Sequence, residues 1–148
     1  MKDNSKAIKP IGIFKNGQPV KVVVVDDTFI DKRIMTQILR SAGFNVVGEA
    51  SDGEEGVEMV TREKPNMVIL DYVMPKMNGL SALKEIKKRF PSMPVIMQTS
   101  ESDKDIAIKL IKEGADEYIV KPLDRAIVLQ KFKKIVEELN SSSKSAEV

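Results

Sequence analysis

The feature that most constrains this chain is a set of short apolar runs separated by helical patterns. Four runs stand out, at 22–25, 67–70, 95–97 and 118–120, and a fifth, at 44–47, is broken by Asn45. Continuous β-branched runs of this length suit strands buried on both faces of a parallel sheet better than the alternation of a half-exposed strand. Each run is followed by residues at helical spacing. The first pattern carries Ile30, Ile34 and Ile38 beside Met35, Leu39 and Ala42, with Gly43 as its C-terminal cap. The second opens at Asp52 with Glu55 three residues on, a variant of the capping box, and stops before Pro65.

The third pattern starts near Asn78, carries Leu80, Leu83 and Ile86, and ends before Pro91. A fourth carries Ile106, Leu110 and Ile111 and closes on Gly114. Asp124 caps a fifth, whose stripe is Val128, Phe132, Ile135, Val136 and Leu139. Five strand and helix pairs in strict alternation predict an α/β fold with a parallel sheet and right-handed crossovers. With 148 residues in all, nothing remains for a second domain. The expected organisation is an N-terminal arm at 1–20, one domain at 21–139 and a Ser-rich, disordered tail at 140–148. Within the arm, Ile11, Ile13 and Phe14 precede an Asn16–Gly17 turn signal, so those apolar side chains are expected to pack on the domain.

Composition removes whole classes of chemistry. Zero Cys excludes disulfides, thiolate nucleophiles and Cys-ligated zinc, and zero His excludes imidazole bases and His-ligated metals. Chemistry here must run on carboxylates, Lys, hydroxyls and backbone groups. A net charge of +2 lacks the basic excess of a nucleic-acid binder, and no apolar stretch is long enough for a signal peptide or a bilayer span. The expectation is therefore a cytoplasmic protein without nucleic acid or membrane insertion.

In open parallel sheets ligands bind beyond the carboxyl ends of the strands. Strand one leaves through Asp26 and Asp27, strand three through Asp71, strand four through Thr99 and Ser100, and strand five through Lys121 and Pro122. Taken singly, each has an ordinary role: helix cap, turn residue or solvated surface charge. Together they put three carboxylates, two hydroxyls and one ammonium at one edge. Carboxylates about 4 Å apart repel by about 4 kcal/mol per pair at an effective dielectric near 20. One Lys does not neutralise them, whereas a hard divalent cation such as Mg²⁺ (or Mn²⁺) does.

At these residues the chain resembles the receiver domains of two-component response regulators. The resemblance runs from about Lys21 to Leu139. It rests on Val24, Val25, Asp26 and Asp27; on Ile69, Leu70 and Asp71 with Met74, Pro75, Met77 and Gly79; on Thr99; and on Tyr118, Val120, Lys121 and Pro122. It implies a flavodoxin-like (βα)5 sandwich with strand order 2-1-3-4-5 and, with no effector domain after the fifth helix, a stand-alone chemotaxis-type regulator. It also implies a role for each residue. Asp71 is the phosphoacceptor, Asp27 binds Mg²⁺ directly, Asp26 binds it mainly through water, and the Val73 carbonyl is a further ligand. Thr99 and Lys121 hold phosphoryl oxygens, Thr99 and Tyr118 form the switch, and Val73 and Glu101 occupy variable positions beside the site. The Lys121–Pro122 peptide bond is expected to be cis.

The implied phosphodonor is a histidine kinase or a small molecule such as acetyl phosphate. The implied partners are a downstream protein, with a flagellar motor switch as one candidate, and an auxiliary phosphatase. On this reading the chain is a signalling module that catalyses only its own phosphorylation and dephosphorylation, not an enzyme acting on external substrates. Two other readings stand beside it. A phosphate sink for a kinase would keep the same site. A phosphatase of the haloacid dehalogenase type would need a carboxylate two residues after Asp71, where this chain has Val73.

Overall fold

The computed structural model describes residues 10–100 and 104–141. Strands β1 (Lys21–Val25), β2 (Asn45–Ala50), β3 (Met67–Asp71), β4 (Val95–Thr99) and β5 (Glu117–Val120) alternate with five helices. These are α1 (Phe29–Ser41), α2 (Gly53–Glu63), α3 (Gly79–Arg89), α4 (Lys104–Lys112) and α5 (Arg125–Ser141). All strand pairs are parallel and the sheet order is β2-β1-β3-β4-β5. This is the flavodoxin-like arrangement expected from the alternation and the resemblance.

The continuous apolar runs become strands because helices cover both faces of the sheet. Val22 and Val24 join Ile69, Ile96 and Ile119 in a core beneath α1 and α5. Val23 and Val25 join Val68, Leu70, Val95 and Met97 in a second core beneath α2, α3 and α4. Each such side chain contributes about 1.5–3 kcal/mol on burial, and a polar residue on either face would be desolvated without a partner. Helix α5 adds Val128, Phe132, Ile135 and Val136 to the first core. The Phe132 ring meets Phe44 edge to face, with centroids 5.8 Å apart.

Local chemistry sets the helix starts. Asp52 Oδ1 accepts the Glu55 N–H at 2.8 Å, the expected cap at the start of α2, while Glu55 Oε1 reaches back to accept the N–H of Ser51, one residue before the N-cap. Asn78 Oδ1 accepts the Ser81 N–H at α3, and Asp124 Oδ1 accepts the Ile127 N–H at α5. Gly43 and Gly114 take positive φ values of 95° and 114° just beyond α1 and α4, as helix-ending glycines do.

Three expectations shift. Ile30 and Ile34 of α1 do not belong to the buried stripe; they are 65% and 39% exposed, while Met35, Ile38, Leu39 and Ala42 are buried. A row of i+4 steps drifts about 40° around a helix at each step, so Ile30 lies about 80° from Ile38. Ile111, placed in the α4 stripe beside Leu110, is likewise 44% exposed. Strand β2 runs to Ala50 instead of stopping at Val47, because an edge strand admits Gly48 and Glu49 on its partly exposed faces.

Residues 10–20 fold back across the first core. The Phe14 N–H donates to the Gln18 carbonyl, Ile13 bridges Pro19, and Gly17 carries the turn at φ 90°. The Gly12 N–H donates to the Ala42 carbonyl at 2.7 Å, and a Cβ at Gly12 would run into Phe44. Ile11 and Phe14 pack on the α1/α5 core. Asn140 lies inside α5, with its Oδ1 accepting the Lys15 N–H, so the last helix extends two residues beyond the expected end at 139. Residues 1–9 and 142–148 lie outside the described residues. Among the described residues no helix is long and apolar enough to cross a membrane.

Candidate functional site

The sheet order brings together what the chain keeps far apart. The chain leaves the middle of the sheet in opposite directions after β1 and after β3, so a crevice opens at their carboxyl ends. Register places Val25 beside Leu70, and the next residues are Asp26 and Asp71. Carboxylate oxygens of Asp26, Asp27 and Asp71 all lie within 4.8 Å of one another. Asp26 and Asp71 are buried and Asp27 is exposed. The β3–α3 loop is drawn tightly over Asp71: the Gly79 N–H donates to the Tyr72 carbonyl at 2.8 Å. A Cβ at Gly79 would run into the Asp71 carbonyl and the Tyr72 backbone.

Lys121 enters from the other side. Its N–H extends the β4–β5 ladder to the Thr99 carbonyl at 2.8 Å, and the Lys121–Pro122 bond is cis, as expected. The ammonium lies 3.0 Å from Asp26 Oδ2, 3.0 Å from Asp31 Oδ2 and 3.5 Å from Asp71 Oδ2. Asp26 is the most heavily engaged carboxylate. Its Oδ1 accepts the Thr28 N–H at 2.9 Å, and its Oδ2 accepts from both Gln98 Nε2 and Lys121 Nζ. It does not cap α1: the N-cap is Thr28, and no side chain caps that helix.

Burial first, and then the neighbouring Asp26 charge, push the Asp71 carboxyl from its ordinary 3.8 up to about 7, with Lys121 only partly opposing them. For Lys121, burial is the largest single influence and acts downward. Hydrogen bonds to Asp26 and Asp31, with the charges of Asp71 and Asp26, outweigh it and leave the ammonium above its ordinary value. The site is thus an excess of negative charge in a partly desolvated crevice. That donor set, three convergent carboxylates with one ammonium on their flank, fits a hard divalent cation.

Thr99 is buried at the end of β4, in register with Val120. Tyr118 packs on the core beneath α2, α3 and α4, with Lys131 Nζ 4.9 Å from its ring centroid and donating to its carbonyl. Val73 is 60% exposed in the loop beyond Asp71. Glu101 lies outside the described residues. Two participants escape sequence reading. Asp31 stands four residues past Asp27, which places it on the first turn of α1 facing Lys121. Gln98 is the one polar residue among the buried positions that precede Thr99 in β4, and that interruption was the available signal.

Residues 22–133 match the family model described as the response regulator receiver domain. The chain belongs to that family. A chemotaxis protein CheY of Thermotoga maritima is 37% identical over 115 residues, covering 78% of this chain and 96% of that protein. A chemotaxis protein CheY of Treponema pallidum is 36% identical over 129 residues, covering 86% of this chain and 90% of that protein. Among solved structures, a chain of the CheX–CheY–BeF3–Mg²⁺ complex from Borrelia burgdorferi superposes with a TM-score of 0.84 at 37% identity. That match covers 86% of this chain and 98% of the other. This receiver domain is accordingly a two-component signalling module of the CheY-like kind, with an acidic pocket compatible with Mg²⁺.

Proposed function

We propose that this receiver domain is switched by a phosphoryl group carried on Asp71. The observation that carries the reading is the placement of Asp71: a buried carboxylate within 4.8 Å of Asp26 and Asp27 and 3.5 Å from the Lys121 ammonium. An Asp71 carboxylate oxygen forms the new bond to phosphorus. The P–N bond of a kinase phosphohistidine, or the P–O bond of acetyl phosphate, breaks, and its electron pair leaves with imidazole or acetate. The product is an acyl phosphate. Thr99 donates its hydroxyl to one phosphoryl oxygen and Lys121 pairs with another.

Asp27, Asp71 and the Val73 carbonyl would hold Mg²⁺ or Mn²⁺. Asp26 would contribute mainly through water, a role supported by the three donors already on its two oxygens. The cation supplies charge neutralisation for the carboxylates and for the incoming phosphoryl oxygens. With burial and Asp26 raising Asp71 to about 7 even beside Lys121, the reactive carboxylate form is scarce below neutral pH unless a cation adds further positive charge.

The partner reading follows the relatives. A histidine kinase supplies the phosphoryl group, a downstream protein, with a flagellar motor switch as candidate, reads the switched surface, and an auxiliary phosphatase resets it. The Borrelia complex, which joins CheY with CheX, BeF3 and Mg²⁺, supports a protein partner and a metal-containing state. The receiver domain starts at 21 and runs to the end of α5 at 141, with 1–20 as an arm, and acts in the cytoplasm, probing neither nucleic acid nor membrane. The test is acetyl phosphate with Mg²⁺, read by intact mass. One labile phosphoryl group is expected on the native chain and none on Asp71→Ala, and excess EDTA should stop the reaction. Unchanged labelling of Asp71→Ala rejects the assignment.

A further inference from the structure

Lys121 has three N–H donors and three carboxylates compete for them. Two hold it at 3.0 Å, Asp26 and Asp31, whereas Asp71 stands farther away at 3.5 Å. Asp31 differs from the other two in position. It projects from the first turn of α1, its side chain is 32% exposed, and it is not one of the carboxylates that converge on a common cation point. Positive charge placed among Asp26, Asp27 and Asp71 weakens their hold on Lys121 but leaves that of Asp31 largely intact. The ammonium is then drawn toward α1, away from the oxygen that a phosphoryl group would extend.

We infer that Asp31 is a positioning residue that latches Lys121 in the unmodified domain, so that an anion on Asp71 must compete with Asp31 for the ammonium. This rests on the phosphoacceptor reading of Asp71 and adds a second consequence to it. Engagement of Lys121 by the anion releases Asp31 and changes the electrostatics of the first turn of α1, beside the exposed Phe29 and Ile30. Occupancy of the pocket is thereby reported on α1 as well as through Thr99 and Tyr118. Reciprocity follows: whatever pulls Asp31 from Lys121 also strengthens anion binding by the same factor.

The test is a double-mutant cycle read by beryllofluoride affinity at saturating Mg²⁺, followed in amide spectra. Asp31→Asn keeps the shape and removes the charge. It should tighten beryllofluoride binding about two- to fivefold, the range expected for a partly exposed ion pair. Removing a negative charge near an anion also helps by simple electrostatics, so the same substitution is made in Lys121→Gln. The gain in the native background should exceed the gain in Lys121→Gln by about 1.5-fold or more. A smaller ratio, or no tightening in the native background, overturns the latch. In EDTA, the Lys121 Hε–Cε signal of lysine-labelled protein should move on Asp31→Asn, and an unmoved signal also overturns it. Failure of the native chain to bind beryllofluoride at all would instead refute the phosphoacceptor reading.

Discussion

Asp71→Asn should make the metal-free protein more stable, and the gain should grow with pH. The native carboxyl is raised from 3.8 to about 7, by burial first and by Asp26 next. In the unfolded chain it ionises near its ordinary value. A carboxyl whose folded value is raised contributes stability that is fully present below the unfolded value and is lost as pH rises through the folded one. The window therefore runs from about pH 4 to about pH 7. At 1.36 kcal/mol per unit, the full difference is about 4 kcal/mol. The Asp71 side chain is only 7% exposed, so solvent screens little of it, although the close interaction with the neighbouring Asp26 carboxylate makes about 2–4 kcal/mol the working range.

Asn keeps the size of the side chain, and Lys121 keeps Asp26 and Asp31 as partners after the change. Urea unfolding in EDTA at several pH values from 5 to 8.5, native against Asp71→Asn, measures the gap. It should widen with pH at up to about 1.4 kcal/mol per unit and level off above about pH 7. Carboxylates remote from Asp71 are common to both proteins, so their contribution cancels. Saturating Mg²⁺ should shrink the gap, because the cation favours the native carboxylate. A gap independent of pH, or a variant less stable than native at pH 8, would refute the reasoning.

Two further outcomes follow from the same packing. Phe132→Ala should cost about 3–5 kcal/mol in urea midpoint terms, because Phe132 is fully buried against Phe44 and its removal leaves a cavity between α5 and the sheet; a loss under 1 kcal/mol would contradict that packing. Thr99→Ala should leave Asp71 open to labelling by acetyl phosphate while blunting beryllofluoride-induced amide shifts at Tyr118 and along α4. Undiminished shifts there would exclude Thr99 as the coupling residue.

Much of this molecule was legible in its residues, and the reason is that local patterns report how a side chain sits on its own element. Runs of β-branched residues predicted strands covered on both faces, and Val22 to Val25 alternate between two cores for that reason. Asp52, Asn78 and Asp124 marked helix starts because a cap is made within one turn of chain. The chemistry at the strand ends was legible too, since Asp26 and Asp27 come just after β1, Asp71 closes β3 and Lys121 follows β5.

What the tertiary structure alone decided depends on distances between elements, which strand order, register and helix rotation set together. Sequence spacing placed Ile30 and Ile34 on a buried row, but only the seating of α1 on the sheet shows that the buried arc runs through Met35, Ile38 and Leu39. Asp31 is ninety positions from Lys121, and Gln98 seventy-two from Asp26. No periodicity links such residues; they meet because β1 lies beside β3, β3 beside β4, and β4 beside β5. The raised Asp71 carboxyl belongs to the same class of fact. Its cause is burial and a neighbouring charge, and both exist only once the strands have been brought side by side.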